Sequence, residues 1–183
     1  MNLRPQDIIV AIKLATVKHG GWSYPSVAAA LSLSVGEVHK SVKRLSMAQI
    51  YNEHTRAPRR ASLEEFLIHG VKYAFPAERK SMTRGIPTAW AAPPLNSVLT
   101  QGEDMPPVWP HPTGHVQGYE FTPLYSNVPQ VALNDPRMYE LLALLDGIRG
   151  GGARERKLAE ELLSERLREA MQKTPLAELA YAS

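Results

Sequence analysis

The chain contains no cysteine. That excludes a disulfide framework, a thiol nucleophile and any cysteine-ligated metal centre. No apolar run approaches the roughly 18 residues that a membrane-spanning helix needs, so no membrane partner is expected. The N-terminal stretch lacks a signal-peptide pattern, because Asp7 interrupts it and no small-residue cleavage site follows an apolar core. The expectation is a cytoplasmic protein. Catalytic signatures are equally scarce. Gly150-Gly151-Gly152 lacks the Gly-Lys-Ser/Thr ending of a phosphate loop, and no strand is expected before it. His111 and His115 stand four apart in a proline-rich turn, with no third ligand at metal-site spacing. Ser23 and Ser34 read as helix caps rather than nucleophiles. Neither an enzyme nor a cofactor is expected.

What is present is an uneven distribution of charge. Residues 1–75 carry ten Lys and Arg against five Asp and Glu, residues 76–136 three against five, and residues 137–183 eight against eight. The overall charge of +3 therefore sums a basic front, an acidic middle and a neutral tail. A basic excess confined to one module is the electrostatic footprint of nucleic-acid binding.

The basic front contains two short helical patterns around a tight turn. Ser23 caps the first, Pro25 is tolerated in its first turn, and Val27, Ala28 and Leu31 form its inner face. Ser32 and Leu33 make the turn. Ser34 caps the second helix, over 34–48, with Glu37 three residues on as a capping box. Val35, Val38, Val42 and Leu45 repeat at helical spacing and predict its buried stripe. The outward face is then Gly36, Glu37, His39, Lys40, Lys43 and Arg44, residue types suited to phosphates and base edges. A preceding helix over 5–18 has Ile8, Ile9, Ile12, Ala15 and Val17 for its inner face, ends at Gly20-Gly21, and is anchored by Trp22 in the core. Ile50-Tyr51 and residues 57–60 predict two short strands.

The series Tyr24-x-x-Val27-Ala28-x-x-Leu31-Ser32-Leu33-Ser34, continued by Val38-His39-Lys40-x-Val42-Lys43-Arg44-Leu45, resembles the helix-turn-helix of the winged-helix transcriptional regulators. Ala48-Gln49-Ile50 resembles their step into the wing. Ser32 and Gln49 stand where such proteins commonly carry glycine. The resemblance covers residues 5–75; the MarR subgroup is closest in flavour, but its wing-tip motif is missing and only the winged helix is carried over. It implies that helix 34–48 enters a major groove, with His39, Lys40 and Lys43 probing it and Ser34 with the helix N-terminus holding a phosphate. Wing 51–60, through Arg56, Arg59 and Arg60, would hold the flanking backbone.

After the wing, Leu63, Phe66, Leu67, Gly70, Val71 and Ala74 make one apolar stripe, with Gly70 permitting a close helix crossing. From Pro76 the character changes: eleven of the fifteen prolines lie within 76–136, which rules out long helices there. Aromatic and aliphatic bulk argues for order, so an irregular strap is expected, with one hairpin joining Val108-Trp109 to 116–121. Asn134-Asp135-Pro136 starts a helix rich in leucine, the triple glycine breaks it, and Ala153–Met171 forms another. The last ten residues are expected to fray.

The expected fold class is therefore mainly α with a small β wing: a winged helix-turn-helix over 1–75, a proline-rich strap over 76–133 and a helical pair over 134–183. The expected function is a sequence-specific transcriptional regulator of double-stranded DNA, a homodimeric repressor whose leucine-rich helices bury some surface against a second chain. The alternative is a protein-interaction module, such as an antitoxin or defence-system adaptor, clamping a partner through residues 76–183. A third reading, a regulator gated by a small molecule, would use a pocket lined by Trp90, Trp109 and Tyr119.

Overall fold

The computed structural model describes residues 2–18, 20–99 and 104–172. The tail expected to fray lies outside these residues. The chain is mainly helical, with one two-stranded and one three-stranded sheet. It opens with α1 (Pro5–Thr16), α2 (Tyr24–Leu31) and α3 (Val35–Met47), followed by a short antiparallel pair, β1 (Tyr51–Asn52) and β2 (Ala57–Pro58). Next come α4 (Arg60–Glu65) and α5 (Val71–Ala74), joined by a π-helical turn over Phe66–Gly70. The expected close helix crossing at Gly70 is absent. The ring of Phe66 fills that space instead, 2.8 Å from where a β-carbon would stand.

Five consecutive residues of α1, Ile8 to Ile12, are fully buried. A helix hidden on all sides needs partners on all sides. Helices α2 and α3 cover one flank, and α7 (Pro136–Gly150) and α8 (Ala153–Gln172) cover the other. One hydrophobic cluster therefore runs from Ile8 through Leu45, Leu67, Leu95 and Trp109 to Leu167. Helix α7 supplies Met138, Leu141, Leu142, Leu144, Leu145 and Ile148, all at most 3 % exposed. These leucines of α7 fill this chain's own core rather than a surface for another chain, whereas Leu158 and Leu162 of α8 stay partly buried. A further helix, α6 (Val128–Asn134), precedes α7 despite Pro129, because proline in a first turn costs no hydrogen bond.

The proline-rich segment holds β3 (Arg79–Pro87), two single-turn 3₁₀ helices, β4 (Pro107–Pro110) and β5 (Val116–Phe121). The expected hairpin between β4 and β5 does not form. Both strands pair antiparallel with β3, and with each other in parallel, so the three close on themselves. The reason lies in the connecting loop, where Gly114 rests directly on the backbone of Gly85 and carries the chain across β3. A β-carbon on Gly85 would strike the Trp109 carbonyl, so this closure requires glycine there.

Inside the body, buried charges are paired around Asp146, although Thr122 Oγ1, Asn127 Oδ1 and Arg156 Nε are buried without a partner among the described residues. Asp146, 2 % exposed, accepts from Thr88 Oγ1 (2.9 Å), Trp109 Nε1 (2.6 Å) and Arg149 Nη1 (2.7 Å). Arg149 also donates to the carbonyls of Phe75 and Thr122, tying the exit of the front module to α7. Burial still pushes the Asp146 carboxyl up, against the pull of Arg149 and its hydrogen bonds.

Candidate nucleic-acid interface

Helix α3 owes its position to its two ends and one internal ion pair. At its start, Ser34 Oγ accepts from the Glu37 amide (3.1 Å) and Glu37 Oε2 accepts from the Ser34 amide (2.8 Å). The expected capping box is present. Its presence counts against the phosphate role assigned to Ser34. A carboxylate already occupies that helix N-terminus, and the Ser34 amide holds Glu37 below the usual carboxylate range. At the other end, Gln49 takes a left-handed backbone (φ 59°), as does Ser32 in the turn between α2 and α3 (φ 52°). These are the two positions where glycine was the expected residue.

Arg44 does not belong to the outward face. It is 8 % exposed, and its Nε and Nη2 donate to the two carboxylate oxygens of Asp7, at 2.7 and 2.5 Å. Asp7 is fully buried on α1 and also accepts from the Arg4 amide (2.8 Å). The Asp7 carboxylate pushes the Arg44 guanidinium further up, against the cost of burial. Arg44 thus bolts α3 to α1. Val35, expected in the buried stripe, is 41 % exposed, because it sits in the first turn beyond the contact.

The remaining outward face is as expected in composition. Gly36, His39, Lys40 and Lys43 are exposed, and Met47 at the end of the helix is 57 % exposed. Lys40 and Lys43 make no ion pair among the described residues. No β-carbon or larger atom crowds Gly36, where space is open.

An aromatic series that the sequence did not reveal joins this face to the β1–β2 hairpin. The His39 ring stacks on Tyr24, centroids 3.5 Å apart and planes 11° from parallel. Tyr24 meets Trp22 edge-on at 5.1 Å, and Trp22 meets Tyr51 at 6.3 Å. Arg56, at the hairpin tip, lies 4.9 Å over the Trp22 ring and donates to the Trp22 carbonyl (3.1 Å). The Trp22 indole returns a hydrogen bond to the Arg56 carbonyl (2.8 Å). Trp22 is buried, as expected of a core anchor. Tyr24, the first residue of α2, was the available signal, but spacing alone does not say that it meets His39 on α3.

The three arginines in and after the β1–β2 hairpin differ in what they already hold. Arg56 is engaged by Trp22. Arg60 pairs with Glu64 at 3.0 Å across one turn of α4, both groups partly in solvent. Arg59 is exposed, and its side chain has no hydrogen-bonding or ionic partner among the described residues. Glu53 opposes the basic character. It lines a shallow hollow with Tyr24, His39, Lys40, Val42 and Lys43, so the hairpin brings one carboxylate toward α3.

Trp90 and Tyr119 line a common cavity in the body, whereas Trp109 is fully buried against Asp146 and does not. Among the described residues no three metal-ligating side chains cluster, and no helix is long and apolar enough to cross a membrane. Comparison with protein-family models, with curated proteins and with solved structures yields no match.

Proposed function

We propose that the chain is a sequence-specific DNA-binding regulator, a winged helix that presents α3 to a major groove. The observation that carries this reading is the outward face of α3. His39, Lys40 and Lys43 are exposed there with no ionic partner among the described residues, on a helix locked to α1 from behind by Asp7–Arg44. A solvent-facing cationic helix held at fixed orientation is what base and phosphate contacts require. Tyr24 presets the His39 ring. Arg59 contributes backbone contact from the hairpin, and Arg56 a fixed positive edge. As a homodimer the protein would span two half-sites about one helical turn apart and repress by occupying them. Clamping a partner with the leucine-rich helices is not favoured, since those leucines are used inside the chain.

The test is a titration of the protein against its own upstream DNA and a scrambled duplex, by fluorescence anisotropy at several salt concentrations. Selective binding with a steep salt slope is expected, and Lys43→Ala should reduce that slope by about one. Equal weak binding to both duplexes would overturn the reading.

A further inference from the structure

A cavity of about 620 Å³ in the body lies between β3, β5 and the start of α8, lined among the described residues by none of the first 75. Its volume is in the range that holds a small organic ligand. Trp90 and Tyr119 give it aromatic walls, and Leu99 and Met105 add apolar surface. Four charged groups also line it, Arg79 and Arg154 against Asp104 and Glu155. None of the four forms an ion pair among the described residues.

Two of these charges are held in place by the protein. The Arg79 guanidinium lies 4.9 Å over the Tyr119 ring and donates to the Gly150 carbonyl (3.1 Å). Glu155 Oε1 accepts the Trp90 amide (3.1 Å), and the carboxylate packs against Gly151, where a β-carbon would press on it at 2.7 Å. The other two, Arg154 and Asp104, are exposed and make no hydrogen bond through their side chains among the described residues. Gly152, also in the lining, has open space where a β-carbon would stand. The triple glycine is therefore more than a break in the helices. It folds the Glu155 carboxylate back into the wall and leaves the mouth clear.

We propose that this cavity binds a small zwitterion with an aromatic or bulky apolar side chain, that is, a free amino acid of that class. Its carboxylate meets Arg154, its ammonium meets Asp104, and its side chain lies against Trp90 and Tyr119. A ligand of one charge would leave one of the two outer groups opposed rather than matched. Burial pushes the Glu155 carboxyl and the Tyr119 hydroxyl up from their ordinary values. The site stands without reference to DNA binding, so either reading can fail alone.

The test is calorimetric titration of the full chain with L-phenylalanine, L-tryptophan and L-leucine. The best of the three is then compared with its analogues lacking the ammonium or the carboxylate, for phenylalanine 3-phenylpropionate and phenethylamine. Arg154→Ala and Asp104→Asn change exposed side chains, and matching thermal melts confirm that they fold. One-to-one binding is expected, at least about tenfold weaker for each analogue and each variant. Failure of all three amino acids to saturate below about 10 mM would overturn the proposal. So would an analogue of single charge that binds as tightly as its parent, or variants that bind as the unaltered chain does.

Discussion

Replacing Arg44 separates a structural ion pair from a DNA contact. Arg44→Ala leaves the Asp7 carboxylate fully buried with the Arg4 amide as its remaining partner. Uncompensated buried charge of this kind costs about 3–5 kcal/mol. With a urea dependence of roughly 2 kcal/mol per molar, the unfolding midpoint should fall by about 2 M. Total stability of about 5–15 kcal/mol leaves most of the variant folded in water. Asp7→Leu combined with Arg44→Met removes both charges at similar volume and should lie within about 1 kcal/mol of the unaltered chain. Urea unfolding followed by circular dichroism reads both effects. The double variant should also bind DNA with an unchanged salt slope, because neither residue faces solvent. If Arg44→Ala instead shifts stability by less than about 1 kcal/mol and lowers the salt slope by about one, Arg44 faces DNA and the buried pair is wrong.

Gln49→Gly should stabilise the chain by about 0.5–1 kcal/mol, because relief of the left-handed strain exceeds the added entropy of the unfolded state; a lower melting temperature would contradict it. Asp135 caps α7 and bonds Lys13 Nζ at 2.7 Å. Burial raises its carboxyl, but the Lys13 ammonium and the Met138 and Arg137 amides outweigh that and hold it below its ordinary value. Its charge therefore stabilises the fold above the unfolded-state carboxyl range, and that contribution disappears as pH falls through the lowered folded value. Asp135→Asn keeps a competent cap, so it should cost about 1 kcal/mol at pH 7 and nothing near pH 2; a cost independent of pH in urea melts would refute the ion pair. A fragment of residues 1–75 should be unfolded or aggregated, since it strips α7 and α8 from the fully buried Ile8–Ile12 run; a cooperative thermal transition in that fragment would disprove this.

The front module was legible because its signals are local. Ser23, Ser34 and Glu37 act within one helical turn, and Val38, Val42 and Leu45 reach the core at the spacing that named them. Arg44 was misplaced because helical spacing puts it beside Lys40 and Lys43, while its buried partner lies 37 residues away on α1. A charge at the border of an apolar stripe points inward only when another element offers a carboxylate, and periodicity carries no information on that. The hairpin error has the same origin. Two strand-like runs five residues apart read as an antiparallel hairpin, yet they pair in parallel while both also pair antiparallel with β3, which precedes them. Its pattern was hidden by polar and charged residues at 79–84, most of them exposed. For the site, residue types were readable and their engagements were not. Arg56 bound to Trp22, Arg60 to Glu64 and His39 to Tyr24 are tertiary facts.

The cavity and α3, the helix proposed to read DNA, are joined by continuous packing. Helix α8 begins at the cavity wall and runs against α1 and α4, and α1 holds α3 through Asp7 and Arg44. Continuity supplies a route but not a coupling. A ligand shifts α3 only by the difference in its affinity for two arrangements of α8, and a ligand that binds both equally shifts nothing, however tightly it binds. The inner charges make α8 the element that would register such a difference. Glu155, in its first turn, is bonded to the Trp90 amide, while Arg154 beside it makes no ion pair among the described residues. The ratio of DNA affinities with and without the amino acid therefore measures how much the placement of α8 matters to α3, independently of how well the cavity binds.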